Sequence, residues 1–255
     1  MRILVTNDDG IAAPGLRALA EALAPLGEVV VCAPEREQSC AGHAITLHKP
    51  LRLKPTELEG LAVEAYACSG TPADCVALGR YGEPRPPDLV VSGINAGANL
   101  GEEVYYSGTV AAAMEACLQG LRSLAVSVTA YHDCDFSGAA DFVRRFAPLY
   151  AEAAAPEGVL LNVNVPSLSP AEIAGVQTTR LGRRAYSNVL ERRQDPRGRP
   201  YFWYHGEATE LDSADGTDIA AIQAQMISVT PVRFDVTAYD ATDYTSRLVA
   251  RTMDA

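Results

Sequence analysis

The chain has 255 residues, of which 48% are hydrophobic and 21% are charged, and its formal net charge at pH 7 is −11. This composition is typical of a globular domain and excludes a disordered or fibrous chain, and the longest apolar runs fall far short of the ~18 residues that a membrane-spanning helix needs. No run of Lys or Arg offers a basic stripe for a phosphate backbone, so we expect neither a membrane nor polymeric nucleic acid as a partner.

The start of the sequence and its cysteines predict a cytoplasmic protein. The polar residues Asn7, Asp8 and Asp9 would interrupt the apolar stretch of a secretory signal peptide. The six cysteines show no C-x-x-C spacing, which favours buried reduced thiols over a disulfide framework or a zinc site.

The first two thirds of the chain alternate between predicted strands and helices. Strands are predicted at residues 3–7, 28–33, 62–67, 88–92, 123–129 and 159–165, and helices at residues 15–26, 72–78, 107–118 and 137–152. In the first helix, Leu16, Leu19, Ala20 and Leu23 follow the i, i+3, i+4, i+7 spacing of one buried face. Such alternation predicts an α/β fold, a mostly parallel sheet with helices on both faces.

The remainder of the chain, residues 167–255, has a different composition. It is rich in arginine and irregular as far as Pro200, then aromatic over residues 201–204, and strand-like over residues 226–230 and 234–237. We interpret it as an extension that packs on the core, residues 1–166, or on another subunit.

Polar residues follow the predicted strands where ligands bind in an open parallel sheet, at the carboxyl ends. Asp8 and Asp9 follow the first strand, Ser39 follows the second, and Asn95 and Asn99 lie in the loop after the strand at residues 88–92. Two adjacent ionised carboxylates need a cation or a strong set of hydrogen-bond donors nearby. We favour a metal, and carboxylate, amide and hydroxyl oxygens favour Mg²⁺, Mn²⁺ or Ca²⁺ over zinc. If the two aspartates are considered without Ser39 and Asn95, the alternative to a metal site is a polar turn with a helix cap.

A second polar segment, Ser107, Gly108 and Thr109, lies where a helix is predicted to begin. Free N–H groups and the positive end of the helix dipole make such a position an anion site, although Ser and Thr are also ordinary N-caps. A metal beside an anion site indicates metal-assisted phosphoryl transfer, in which the ion polarises and orients the phosphate. Whether water or Asp8 attacks phosphorus stays open.

Several long motifs occur in succession over nearly the whole chain. They are ILVTNDDG at residues 3–10, APEREQSCAGHAIT at 33–46, GTPADCV at 70–76, VSGINAGANLG at 91–101, YSGTVAAAME at 106–115, QDPRG at 194–198, and GTD at 216–218 leading to SVTP at 228–231. Together they resemble the SurE family, known as metal-dependent 5′-nucleotidases. One departure is Cys40, where the family pattern leads us to expect Gly or Ala.

The resemblance implies a site and an activity. It implies one divalent ion per subunit, Mg²⁺ or Mn²⁺, and hydrolysis of nucleoside 5′-monophosphates, with 3′-nucleotides and short polyphosphate as further substrates. The implied metal ligands are Asp8, Asp9, Ser39 and Asn95, of which Asp8 and Asp9 are the catalytic candidates, and the residues implied near the phosphate are Asn99, Ser107, Gly108 and Thr109.

The resemblance also implies a Rossmann-like core whose C-terminal extension is exchanged between subunits, giving a homodimer or homotetramer.

Two other classes of protein remain compatible with the residues. One is a metal-dependent nucleotide-binding or sensing protein without significant turnover, and the other is a structural partner protein whose acidic edge is incidental.

Overall fold

The computed structural model describes residues 1–81, 85–186, 189–205 and 208–253. The strands are β1 Arg2–Thr6, β2 Glu28–Pro34, β3 Leu53–Thr56, β4 Glu64–Cys68, β5 Leu89–Ala96, β6 Ser123–Val128, β7 Val159–Val165, β8 Gly175–Thr178, β9 Arg183–Tyr186, β10 Val189–Gln194, β11 Pro200–His205, β12 Ala208–Asp212 and β13 Met226–Arg233. The helices are α1 Pro14–Leu23, α2 Pro72–Gly79, α3 Gly108–Leu118, α4 Ser137–Glu152, α5 Asp218–Gln223 and α6 Thr242–Met253.

One nine-stranded sheet organises the fold, in the order β3-β4-β2-β1-β5-β6-β7-β13-β8. The strands from β4 through β7 in this order are parallel to their neighbours. At the margins, β3 is antiparallel to β4, and β13 is antiparallel to β7 but parallel to β8. The structure confirms the predicted mostly parallel α/β architecture.

Helices cover both faces of the sheet because the central strands are apolar on both sides. In β1, Ile3 and Val5 are completely buried against the layer that contains α1 and α4, while Leu4 lies among the buried residues of α2 and α3 on the other face. The long apolar run of β1 is therefore the direct consequence of burial on both sides.

In the first two thirds of the chain, β5 and β3 differ from what the sequence predicted. β5 continues to Ala96, so Asn95, which we expected in a loop, lies at the end of a strand. Pairing with β6 stabilises this strand despite its loop-like Gly and Asn composition. The close approach of the two strands requires glycine at residue 93, because a Cβ there would lie 2.3 Å from the carbonyl oxygen of Val126. Sequence reasoning missed β3, a largely exposed strand at the edge of the sheet that contains Pro55.

The C-terminal segment, which we expected to be irregular as far as Pro200, contains the strands β8, β9 and β10 before that residue and contributes to the main sheet. β8 and β13 both come after residue 166, and β13 extends the predicted strand at residues 226–230 as far as Arg233. The predicted strand at residues 234–237 is wrong, because the chain leaves the sheet after Arg233. Two small antiparallel pairs, β9 with β12 and β10 with β11, lie outside the main sheet.

Among the residues that the structure describes, no helix has both the length and the apolar character needed to cross a membrane.

Candidate active site

The predicted site lies where the strand order reverses. From β1 the chain moves to β2 on one side, and it later returns to β5 on the other side of β1. This arrangement opens a crevice at the carboxyl ends of β1 and β5, the usual ligand position in an open α/β sheet. Asp8 and Asp9 follow β1, and Asn95 is the penultimate residue of β5.

Asp8 is a buried carboxylate at the N-terminus of α3. It is 5% exposed, and its Oδ1 accepts a hydrogen bond from the hydroxyl of Thr109. Burial raises the pKa of Asp8, and the Thr109 hydroxyl and the backbone N–H groups of Thr109 and Gly108 oppose that rise. The helix start therefore holds a negative group that desolvation would otherwise disfavour.

Asp9 lies beside Asp8 and is partly exposed. Its Oδ2 accepts a hydrogen bond from the backbone N–H of Ala96 at 3.3 Å, which joins the end of β1 to the end of β5. Burial raises the pKa of Asp9 to about 6, with further contributions from the charges of Asp8 and Glu37. Two neighbouring carboxylates with raised pKa values form a site that a cation would stabilise.

Asn95 offers an amide oxygen at the same edge. Its Nδ2 donates to the carbonyl oxygen of Gly97 at 2.7 Å, which fixes the amide within the turn that ends β5. The Oδ1 atom takes no hydrogen bond from the described residues, so it is the available acceptor.

Ser39 lies in the loop that follows β2 and is exposed. The backbone N–H of the preceding Gln38 donates to the carbonyl oxygen of Asp8 at 2.7 Å, so the loop is attached to the end of β1. The Ser39 hydroxyl donates to Glu37 Oε1 at 2.6 Å rather than to either aspartate. Sequence reasoning missed Glu37, for which no motif spacing gave a signal.

The residues expected near phosphate fall into two groups. Ser107 is the N-cap of α3, where its hydroxyl accepts from the N–H of Val110 at 3.1 Å, and Gly108 and Thr109 form the first turn against Asp8. Asn99 instead belongs to a buried polar network with the strands β6 and β7. Its side chain donates to Ser127 at 2.8 Å, and its backbone N–H donates to Asn164 at 2.8 Å.

The donors present fit a hard divalent cation. Among the described residues no group of three or more His, Cys, Asp and Glu side chains is arranged to hold a metal ion, but the predicted set needs only two carboxylates, with an amide oxygen and a hydroxyl. Such an all-oxygen set suits Mg²⁺ or Mn²⁺ rather than zinc. Burial raises the pKa of both Asp8 and Asp9, and a bound cation would favour the ionised form of the two carboxylates.

Asp218 belongs to the GTD motif at residues 216–218, for which the sequence predicted no role. It is completely buried at the start of α5. Its carboxylate accepts hydrogen bonds from the backbone N–H groups of Gly101, at 2.9 Å, and Gly182, at 2.7 Å. Asp218 therefore attaches the C-terminal segment to the loop that contains Asn99.

Comparisons with known proteins identify the family that the chain belongs to. A family model described as Survival protein SurE matches residues 3–188. The chain is 53% identical over 240 residues to the 5′-nucleotidase SurE of Moorella thermoacetica, covering 94% of this chain and 92% of that protein. It is 48% identical over 241 residues to the 5′-nucleotidase SurE of Heliobacterium modesticaldum, covering 94% and 88%.

A solved structure shows the same fold. The crystal structure of the SurE protein from Aquifex aeolicus superposes with a TM-score of 0.84 at 39% sequence identity, and the match covers 97% of this chain and 99% of that one.

Proposed function

Since the chain belongs to the SurE family, we propose that it is a divalent-metal-dependent 5′-nucleotidase, which hydrolyses nucleoside 5′-monophosphates to nucleoside and phosphate. The relatives named 5′-nucleotidase SurE support the reaction. The observation that carries the proposal for this chain is the junction at the switch point, where the N-terminus of α3 holds Asp8 and the end of β5 holds Asp9.

We assign the metal ligands to Asp8, Asp9, Ser39 and Asn95, and the ion to Mg²⁺ or Mn²⁺, one per subunit. When bound, the ion polarises the phosphoryl oxygens and neutralises developing negative charge. Ser39 fits this role although it donates to Glu37, because a hydroxyl that donates its proton keeps its lone pairs for another partner.

The phosphate group is assigned to the start of α3. Backbone N–H groups at a helix N-terminus, together with the helix dipole, stabilise an anion there. Ser107, Gly108 and Thr109 form this turn beside Asp8. Asn99, whose side chain donates to Ser127, is the remaining residue that we assign to the phosphate.

The finer features of the family are proposed with the activity. These are turnover of 3′-nucleotides and short polyphosphate, a cytoplasmic location, and a homodimer or homotetramer formed by exchange of residues 167–255, some of which lie outside the described residues. The apolar side chains that α6 leaves exposed, Tyr244, Leu248 and Val249, support the exchange.

The test is phosphate release from 5′- and 3′-nucleoside monophosphates and short polyphosphate, each with Mg²⁺, with Mn²⁺ and with EDTA. We expect release from 5′-monophosphates that EDTA abolishes and that Asp8→Asn reduces by at least about a hundredfold. Nucleotide binding without release in either metal would replace the proposal with a binding or sensing role.

A further inference from the structure

An exposed tyrosine lies at the rim of the candidate site. Tyr131 follows β6, whose carboxyl end lies at the same edge of the sheet as those of β1 and β5. Its ring contacts the backbone of Gly97 closely: a Cβ on Gly97 would lie 2.4 Å from Tyr131 Cε1 and 2.7 Å from its Cδ1. The side chain is nevertheless 65% exposed. One side of the ring thus rests on the turn after β5, and much of the rest is open.

This turn belongs to the catalytic crevice. Gly97 accepts the hydrogen bond that fixes the Asn95 amide, and the intervening Ala96 donates to Asp9. The ring that rests on Gly97 therefore lies next to a residue that is hydrogen-bonded to the assigned ligand Asn95.

We propose that the exposed side of Tyr131 is the surface on which the nucleobase of the substrate stacks. The inference rests on the proposed nucleotidase function and adds the residue that distinguishes a nucleotide from a phosphate ester without a base. With phosphate at the start of α3 and the ion at the strand ends, the ribose spans the interval to the ring. Aromatic stacking accepts every base, because every base has a π face.

Two other exposed tyrosines of this region have different surroundings. Tyr105, 61% exposed, lines a separate cavity with Met114 and Phe234, on the side of α3 that faces β13. Tyr106, 68% exposed, precedes the N-cap Ser107, and its carbonyl oxygen accepts a hydrogen bond from the backbone N–H of Gly42. Tyr131 differs from both because its ring rests on the turn that fixes the Asn95 amide.

The experiment compares adenosine 5′-monophosphate with ribose 5-phosphate, which has the phosphate and sugar but no base. In Tyr131→Ala we expect the ratio of kcat/KM for the nucleotide to kcat/KM for the sugar phosphate to fall about tenfold, mainly through KM for the nucleotide. Tyr131→Phe, which keeps the ring, should retain the wild-type ratio. Tyr81→Ala is the matched control, since Tyr81 is 83% exposed and lies beyond the end of α2, at the opposite edge of the sheet.

The outcomes separate the two proposals. A wild-type protein that hydrolyses neither compound would overturn the proposed function itself. An active wild type, combined with a Tyr131→Ala variant that has an unchanged ratio or an equal loss on both compounds, would overturn the stacking assignment and leave Tyr131 as a support for the Gly97 turn.

Discussion

Gly108 packs against Asp8 so closely that a β-carbon on Gly108 would lie 2.7 Å from the Asp8 Cβ and 2.8 Å from its Oδ2. The two residues are far apart in the sequence, but β1 and α3 bring the carboxylate against the first residue of the helix. Only glycine leaves enough space for Asp8 to approach the helix N-terminus. The position of this carboxylate, and with it the geometry of the assigned metal site, therefore depends on the absence of a side chain at residue 108.

Replacing Gly108 with alanine is expected to displace Asp8 and to abolish most of the activity. A displacement of about 1 Å at a catalytic group can cost roughly a hundredfold in rate, so we expect Gly108→Ala to lose about a hundredfold in kcat/KM for a 5′-monophosphate. Kinetics with saturating Mn²⁺ measure this loss, and circular dichroism verifies that the helices remain.

The control for this variant is Ala116→Gly in the same helix. Ala116 is completely buried on the face toward the sheet and does not contact Asp8. This substitution weakens the helix by about 1 kcal/mol and should leave kcat/KM close to that of the wild type. Equal losses of activity in the two variants would show that helix stability, rather than the space beside Asp8, is responsible.

The hydroxyl of Thr109 is expected to set the pH at which Asp8 binds the metal. It donates to the buried carboxylate and lowers its pKa, so its removal in Thr109→Val should raise the pKa of Asp8 further. Protons then compete with the cation at a higher pH. We expect Mn²⁺ to bind about tenfold more weakly at pH 6, since a hydrogen bond to a charged group contributes about 1.5 to 3 kcal/mol, and the loss to be smaller at pH 8, where fewer protons compete.

Titration calorimetry at the two pH values measures this shift. Thr109→Ser retains the hydroxyl and should bind Mn²⁺ nearly as well as the wild type. If Thr109→Val has wild-type affinity at both pH values, the hydrogen bond to Asp8 has no role in metal binding.

The parts of the fold with regular periodicity could be predicted from the sequence. The helix at residues 137–152 and the strand at residues 159–165 coincide with α4 and β7, because their burial follows directly from apolar spacing. The short strand β3 could not be predicted, since its residues are largely exposed and include Pro55. A strand with neither an apolar face nor a favourable composition leaves no local pattern.

Some residues of the candidate site could likewise be predicted from the sequence, and others could not. The rule that ligands bind at the carboxyl ends of parallel strands selected Asp8, Asp9 and Asn95, and the structure brings these residues to one edge. Two contacts of the site could not be predicted from the position of strand ends. Glu37 bonds to Ser39 and influences Asp9, and Tyr131 lies on Gly97. Both depend on how loops fold over the edge, which neither periodicity nor residue spacing specifies.

Asp9 is expected to destabilise the metal-free protein at neutral and alkaline pH. Its pKa is about 6 in the folded protein, above the ordinary value of 3.8, so the folded state binds the proton more tightly than the unfolded state does. The stabilisation that this tighter proton binding gives the folded state is fully present below pH 4 and is lost as the pH rises through 6. A pKa change of this size on a fully buried group corresponds to about 3 kcal/mol, and the partial exposure of Asp9 reduces it to about 1 kcal/mol.

Asp9→Asn should therefore raise the melting temperature in EDTA at pH 8, while abolishing the further increase that saturating Mn²⁺ gives the wild type. Calorimetric scans of both proteins at pH 8 and at pH 5 measure the effect, and the difference between them in EDTA should shrink at pH 5. A variant that melts below the wild type at pH 8 in EDTA would contradict this account of Asp9.

Asp218 is expected to stabilise the attachment of the C-terminal segment to the core. Its carboxylate is the acceptor for the buried N–H groups of Gly101 and Gly182, and an unsatisfied buried donor costs about 1 to 3 kcal/mol. Asp218→Ala should lower the free energy of unfolding by about 3 kcal/mol, measured as a lower urea midpoint with an unchanged slope. Asp215→Ala is the matched control, because Asp215 is exposed in the preceding turn and should stay within about 0.5 kcal/mol of the wild type. Asp218→Asn keeps one acceptor oxygen, so its urea midpoint should lie between those of Asp218→Ala and Asp215→Ala. Equal midpoints for Asp218→Ala and Asp215→Ala would mean that these hydrogen bonds contribute nothing to stability.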